Sequence, residues 1–334
     1  MTKIVLHGAG SIGCFVGGVW AAAGLDVTLV GRPYVGDAIS EKGMRLTDYE
    51  GFDERLAASD IKFSTDPSAL ARADIIGLAV KSTGTQNAAA EINRYAALGT
   101  IVVSLQNGIS NVETLRTLLP KQTVLAGMVP FNVAALESGH WHKGTQGILV
   151  AEKHPALETI VSAASGGPAA LVLSENMTAI AWGKLLLNLN NALNALSGIT
   201  LLEQLSDRNY RRILAASIRE ALAVLAKAGI EPAKVGAFPP NWLPVFINSP
   251  DFFFNTIGLK LQKIDARARS SMADDFAAGR ATEIDFLNGE VVRLAQKLGL
   301  ETPVNSAIVT IVKQTEGGEK QAWSGMELRR KILG

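Results

Sequence analysis

Cysteine is almost absent from this chain of 334 residues, Cys14 being the only one. One thiol excludes a disulfide framework and a cysteine-based zinc site, and gives no reason to expect secretion. Cys14 falls just after Gly13, where a helix should begin; a small buried residue packing helix on strand is the reading preferred over an activated thiol. Histidine is scarce as well, with His7, His140, His142 and His154. His140 and His142 alternate along an expected strand without a third ligand, so no metal site is expected. Charge of one sign is missing too: 32 Lys and Arg face 31 Asp and Glu, for a net charge of +1. Nucleic-acid binders usually carry a basic stripe, and the densest basic run here is the terminal Arg329-Arg330-Lys331, read as a solvated helix end. Apolar runs stop well short of a membrane span. The first of them starts within a few residues of Met1 and meets a glycine turn at once, unlike a signal peptide. The expectation is a cytoplasmic protein without nucleic-acid or membrane partners.

What is present is apolar bulk, 48% of residues against 19% charged, in a chain long enough for two domains. Lys3–His7 reads as a short buried strand, a glycine-rich turn follows, then a helix over about Ser11–Ala23 and a second strand at Asp26–Val30. Further buried strands are expected at Asp74–Val80 and Thr100–Leu105, with helices at Thr85–Tyr95 and Asn111–Leu118. Such alternation predicts an α/β Rossmann domain, doubly wound around a mostly parallel sheet. Thr123–Ala134 and Gly147–Ala151 read as strands extending that sheet, and Ala169–Leu173 as its last strand. Beyond Glu175 the pattern turns helical, over Ala179–Leu196, Asn209–Ala228, Ile284–Leu298 and Ser306–Lys313. The expected domains are 1–172, the Rossmann domain, and 173–334, an all-α domain. The segment Phe238–Phe254 is rich in proline and aromatics, which argues against one long helix. Core packing is its first reading, a lid or subunit interface the alternative.

Gly8-Ala9-Gly10-Ser11-Ile12-Gly13 is a G-x-G-x-x-G run set between a strand and a helix at the chain start. That context, more than the pattern, marks a dinucleotide site. Gly8 permits the tight turn, Gly10 lets the backbone approach a pyrophosphate, and Gly13 lets helix pack close on strand. The helix N-terminus then offers N–H groups to the phosphates. An NAD site places an acid at the end of the second strand to hold the ribose 2′-OH. Here Val30 is followed by Gly31 and Arg32. A guanidinium there suits a 2′-phosphate, so NADP(H) is the expected cofactor.

The segment Trp182-Gly183-Lys184-Leu185-Leu186-Leu187-Asn188 places Lys184 and Asn188 four apart, on one helix face. A lysine and several asparagines in so apolar a run need partners. Two readings stand level on these residues alone: a functional lysine, or one snorkelling to solvent above a polar helix contact.

With GAGSIG, Val80-Lys81-Ser82-Thr83, Gln106-Asn107-Gly108, WGKLLLN, Ser270-Ser271-Met272 and Thr282-Glu283-Ile284-Asp285 leading into FLNG, nearly the whole chain resembles the ketopantoate reductase family. Its members reduce 2-dehydropantoate to (R)-pantoate with NADPH on the route to pantothenate. The resemblance implies hydride transfer to the ketone carbon of a 2-oxo acid, with Lys184 stabilising and protonating the oxygen. Glu283 matches the carboxylate that holds substrate hydroxyls and poises the lysine beside the cofactor. By the same resemblance, Asn107 would help to fix substrate and lysine near the nicotinamide, Lys81 matches the family lysine near the nicotinamide end of the cofactor, Asn188 matches a substrate-contacting asparagine, and Ser271 matches the serine that binds the substrate carboxylate. The family's second asparagine one turn past Asn188 is Ala192 here, and the asparagine before its serine gives way to Arg267-Ala268-Arg269.

Simpler roles stand beside these. Asn107-Gly108 makes a turn, Lys81 a surface charge, Ser271 with Asp274 and Thr282 with Asp285 helix caps. Rival functions are a reductase of another 2-oxo acid, an opine-type or 3-hydroxyacid dehydrogenase, and a non-catalytic NADP(H) sensor. A histidine-centred dehydrogenase fits poorly, because all four histidines precede residue 155. A homodimer is left open as the assembly.

Overall fold

The computed structural model describes residues 1–236, 238–258, 268–318 and 322–334, and Arg267 lies outside them. The chain divides into two compact units, Met1–Met177 and Thr178–Gly334.

The first unit is built on an eight-stranded sheet. Strands β1 (Lys3–His7) and β2 (Asp26–Val30) flank helix α1 (Ser11–Ala22) in sequence, and helix α2 (Pro33–Lys42) follows. After β3 (Met44–Asp48), β4 (Asp53–Leu56) and β5 (Lys62–Ser64) come β6 (Ile75–Leu78), α3 (Thr85–Tyr95), β7 (Ile101–Ser104), α4 (Ser110–Leu118) and β8 (Thr123–Met128). Strands β9 (Val133–Glu137), β10 (His140–Lys143) and β11 (Leu149–Glu152), helix α5 (Glu158–Ala163) and strand β12 (Leu171–Ser174) complete the unit. The main sheet runs β12-β11-β8-β7-β6-β1-β2-β5. It is parallel except where β11 meets β8. The Rossmann expectation holds.

Alternation along β1 shows how the sheet is covered on both sides. Ile4 and Leu6 join the apolar cluster of α1, with Phe15, Val16, Val19 and Trp20. Val5 faces the other cluster, with Ala88, Ala89 and Ile92 of α3 and Leu115 of α4. Successive residues of a strand point to opposite faces, so the apolar run Ile4-Val5-Leu6 serves both layers. Strand order reverses at β1, because β2 lies on one side of it and β6 on the other. Ligands of such sheets bind at the carboxyl ends of the strands beside that reversal.

One expectation needs correction. Thr123–Ala134 does not extend a single sheet: β8 does, but β9 belongs to a second sheet ordered β4-β3-β10-β9. The turn between them redirects the chain: β9 pairs with β10, and β10 pairs in turn with β3, far back in sequence. In this sheet Thr47 Oγ1 lies 2.8 Å from both His140 Nε2 and His142 Nδ1.

The second unit is helical. Helix α6 (Met177–Asn188) begins at its boundary, followed by α7 (Asn190–Ser197), α8 (Leu201–Ser206), α9 (Arg208–Lys227) and α10 (Leu243–Ile247). Then come α11 (Ser271–Ala277), α12 (Asn288–Lys297), α13 (Pro303–Glu316) and α14 (Gly325–Leu333). The single helix expected over Ala179–Leu196 is two, separated at Leu189, whose φ and ψ of −57° and −23° stay helical. Residues beyond the break serve packing: Asn190 and Gln204 exchange two amide hydrogen bonds of 3.1 and 3.0 Å. The helix expected from Ile284 begins instead as a tight turn, Ile284–Phe286, with α12 proper starting at Asn288.

The aromatic segment breaks at its prolines. Phe238 stacks on Phe246 at 4.1 Å, and fully buried Phe254 lies beneath the Arg211 guanidinium at 4.2 Å. Arg211, wholly buried on α9, donates to the carbonyls of Ile247 and Ser249 at 3.2 Å and pairs with Asp251. A buried cation of this kind requires partners, and here the loop supplies them.

Candidate active site

The glycine loop joins β1 to α1. Gly8 has φ +109°, and a Cβ there would stand 2.5 Å from the Val80 nitrogen. Both facts demand glycine. Gly13 is equally constrained, since its Cβ would lie 2.2 Å from the Gly8 carbonyl oxygen. Gly10 differs: a Cβ there meets no protein atom within 4 Å. Its side stays clear for a group that must approach the backbone. No side chain caps α1, and its first turn carries no acid. The opening N–H groups of this helix thus present an uncompensated partial positive charge, which suits a phosphate.

Arg32 caps α2 with extended backbone and is exposed. No acid lies in the first turn of α2, and among the described residues Arg32 pairs with no carboxylate.

Lys81 follows β6 and Asn107 follows β7, two neighbouring strands. A buried polar network stitches these loops together. The Gln106 side-chain amide donates to Thr85 Oγ1 at 2.8 Å and to the Val80 carbonyl at 3.2 Å. Asn111 Nδ2 donates to Ser82 Oγ at 2.9 Å and to the Asn107 carbonyl. Lys81 itself is exposed and Asn107 half-buried. Gly108 takes φ +86°, so Asn107-Gly108 is also a turn. Sequence reading named Asn107 and Lys81 but missed Thr85 and Asn111, which fix the loops bearing them. Each lies on the first turn of a helix after a strand, a position whose polar residues find partners across loops.

In the helical unit, Lys184 sits on α6 between Gly183 and Leu185. Gly183 lets the helix approach its neighbour: a Cβ there would lie 2.2 Å from the Ala233 carbonyl oxygen. Ala233 N in turn donates to the Ala179 carbonyl at 2.8 Å. Burial drives the Lys184 ammonium from 10.5 down to about 8, and the negative charge of Glu283 opposes that fall. Desolvation disfavours the charged form and an adjacent carboxylate favours it; burial wins.

Glu283 is buried and precedes the Ile284–Phe286 turn. Its loop is anchored on both sides. Thr282 N donates to Glu316 Oε1 at 2.7 Å, and Asp285 pairs with Lys313 at 2.7 Å. Deeper still, Asn288 Nδ2 donates to Asn305 Oδ1, and Glu220 caps the N-terminus of α13 through Val304 N and Asn305 N. The structure thus brings Lys184 and Glu283 into one electrostatic pair. Asn188 is half-buried one turn along α6.

Ser271 is exposed on the first turn of α11, and the capping role that was its simpler reading falls to Ser270. Ser270 Oγ accepts from Ala273 N at 3.2 Å, while its own N–H donates to Asn194 Oδ1 at 2.8 Å. Ser271 is therefore relieved of capping. Thr282 forms a local turn instead of a helix cap, its Oγ1 accepting from Ile284 N at 3.3 Å. Ala192 is fully buried, and Asn194 two residues on is committed to Ser270 and to the Ile199 carbonyl.

An uncapped helix end beside an open glycine suits a dinucleotide, and a lysine poised near neutrality suits protonation of a reduced carbonyl. Together they define an oxidoreductase of the dinucleotide-dependent class. The class narrows to one family: residues 4–155 match the model of ketopantoate reductase PanE/ApbA, and residues 176–316 match that of its C-terminal domain. The chain belongs to this family, whose members are oxidoreductases acting on CH–OH groups. It is 29% identical over 329 residues to the 2-dehydropantoate 2-reductase of Pyrococcus abyssi, covering 95% of this chain and 99% of that one. A PanE/ApbA family ketopantoate reductase from Ralstonia eutropha JMP134 superposes with a TM-score of 0.80 at 31% identity, over 95% of this chain and 99% of the other. A D-mandelate dehydrogenase solved with NADH and anilino(oxo)acetate shares the fold, with a TM-score of 0.77 at 20% identity and coverage of 95% and 99%.

Proposed function

We propose that this protein reduces a 2-oxo acid with NADPH, and that the acid is 2-dehydropantoate, giving (R)-pantoate for pantothenate synthesis. The observation that carries the reading is the Lys184 ammonium, held near pH 8 by burial against the pull of Glu283. Such a group keeps its proton at neutral pH yet releases it readily, as a general acid should.

NADPH, when bound, supplies the hydride. The open side of Gly10 and the uncapped start of α1 favour the pyrophosphate. The whole loop from Gly8 through Ala9, Gly10, Ser11 and Ile12 to Gly13 is assigned to this seat. Arg32 is assigned to the 2′-phosphate by charge-assisted hydrogen bonding, and Lys81 to the nicotinamide end. Lys184 stabilises the charge that develops on the carbonyl oxygen and donates a proton to it. Glu283 keeps the lysine charged and receives the substrate's hydroxyl groups. Asn107 and Asn188 orient the substrate, and Ser271, free of capping duty, takes the carboxylate. The substrate assignment leans on relatives such as the 2-dehydropantoate 2-reductase of Pyrococcus abyssi.

The test is a substrate panel. Purified protein is mixed with NADPH or NADH and with 2-dehydropantoate or other 2-oxo acids, and loss of reduced-nicotinamide absorbance is followed. Turnover of 2-dehydropantoate with NADPH is expected. Turnover confined to another acid moves the substrate but keeps the chemistry, and silence across the panel leaves a cofactor-binding sensor.

A further inference from the structure

Gly31 is a glycine for want of space, not for its backbone. It follows the last residue of β2, where an NAD site carries its acid. Its φ lies outside the left-handed range, so any residue could adopt its conformation. A Cβ there, however, would sit 2.5 Å from Ala9 Cβ and 3.3 Å from both Ala9 Cα and Phe63 Cζ. Carbon atoms attract at roughly 3.5–4.0 Å and repel steeply below that.

Neither side of this contact has room to retreat. The Val30 carbonyl accepts from Gly8 N at 3.0 Å and from Ala9 N at 2.9 Å, which clamps the glycine loop to the end of β2. Gly31 N donates to the Ser64 carbonyl at 3.1 Å and so is held from β5 as well. Behind it, Phe63 is wedged against α2, where a Cβ on Gly36 would lie 2.6 Å from its ring. Ala9 is itself buried, at 5% exposure. Arg32, by contrast, is exposed with no acid in the turn it caps.

We infer that the Ala9–Gly31 contact is a steric selector of the cofactor: it bars residue 31 from bearing the carboxylate that would read a ribose 2′-OH, and leaves Arg32 alone at the end of β2. The inference rests on the NADP(H) reading and deepens it, because the selector belongs to the glycine loop itself. Ala9 is a positioning residue in this scheme. It acts through the space it denies to residue 31.

The test is a double-mutant cycle read by nicotinamide fluorescence, titrating NADPH and NADH into the wild type, Ala9→Gly, Gly31→Asp and the double variant. Gly31→Asp is expected to weaken NADPH by more than about tenfold without gaining NADH, because the side chain must displace the loop. The double variant is expected to bind NADH roughly tenfold more tightly than Gly31→Asp does, the scale of one charge-assisted hydrogen bond. Its NADH:NADPH preference should also exceed that of Gly31→Asp, a ratio that loss of structure alone does not move. Should Gly31→Asp fail to fold, Gly31→Ala with and without Ala9→Gly replaces it: the methyl lowers Tm and NADPH affinity, and trimming Ala9 restores both. NADH affinity gained by Gly31→Asp with Ala9 intact, or no coupling between the two positions, overturns the selector. A wild type preferring NADH overturns the cofactor reading itself, whereas lost coupling with NADPH still preferred overturns the selector alone.

Discussion

The Lys184 ammonium and the Glu283 carboxylate act on one another in the helical unit, ninety-nine positions apart in sequence: burial lowers the lysine to about 8, and the carboxylate keeps it from falling further. The proposed proton transfer rests on the protonation state that this pair sets.

Removing the ammonium isolates its role. Lys184→Ala is expected to reduce kcat by roughly 100- to 10,000-fold, the usual contribution of a general acid, while NADPH still binds with an affinity close to wild type. Stopped-flow turnover and fluorescence titration measure the two. Wild-type turnover in the variant would refute the assignment.

The pH profile carries a signed expectation. As the proposed general acid, Lys184 would donate a proton only as the ammonium, so kcat/KM should be full below about 8 and fall as pH rises through it. Glu283→Gln removes the charge that raises the lysine, so the descending limb should move to lower pH. An unmoved limb separates the limb from this pair.

The same shift bears on stability. The unfolded lysine holds its proton to about 10.5 and the folded one only to about 8. Between those values the unfolded chain binds more protons, so the contribution of Lys184 to stability improves as pH rises across that window. At pH 7 the buried ammonium is a cost, and Lys184→Met combined with Glu283→Gln, which removes both charges of the pair, should raise Tm while sharply reducing activity. A lower Tm would mean that the ammonium is well compensated where it lies.

Two glycines of one loop should behave oppositely. Gly13→Ala puts a methyl 2.2 Å from the Gly8 carbonyl and should cost about 1–3 kcal/mol of stability by overpacking. Gly10→Ala meets no protein atom, so it should fold with nearly unchanged Tm yet bind NADPH weakly. Denaturant titration and cofactor titration together check both.

Gly183→Ala tests how the lysine is placed. The methyl would clash with the Ala233 carbonyl oxygen and force α6 away from its neighbour. Loss of kcat much larger than the change in NADPH Kd is the expected split.

Much of the first unit was legible in the chain itself. Lys3–His7 and Asp26–Val30 are strands with the expected bounds, because short, largely apolar runs bounded by charge and glycine admit few alternatives. Thr85–Tyr95 is a helix as its periodicity predicts. The second sheet was not legible, since pairing β3 with β10 joins residues almost a hundred positions apart, and strand propensity names no partner. Likewise Ser270, not Ser271, caps α11: adjacent serines are equivalent until the backbone direction of the incoming loop is known.

Sequence by itself determined the glycine loop and the missing acid after β2, because local spacing fixes turns and strand ends; for Lys184 the spacing left two readings level, and the resemblance chose between them. Tertiary structure alone decided what those residues experience. Desolvation and charge depend on which distant segments close around a group, so the poise of Lys184 between burial and Glu283 emerged only in three dimensions. The same holds for Gly31, whose neighbour across 2.5 Å is twenty-two residues away. Steric exclusion is a property of packed surfaces, and no linear pattern records it.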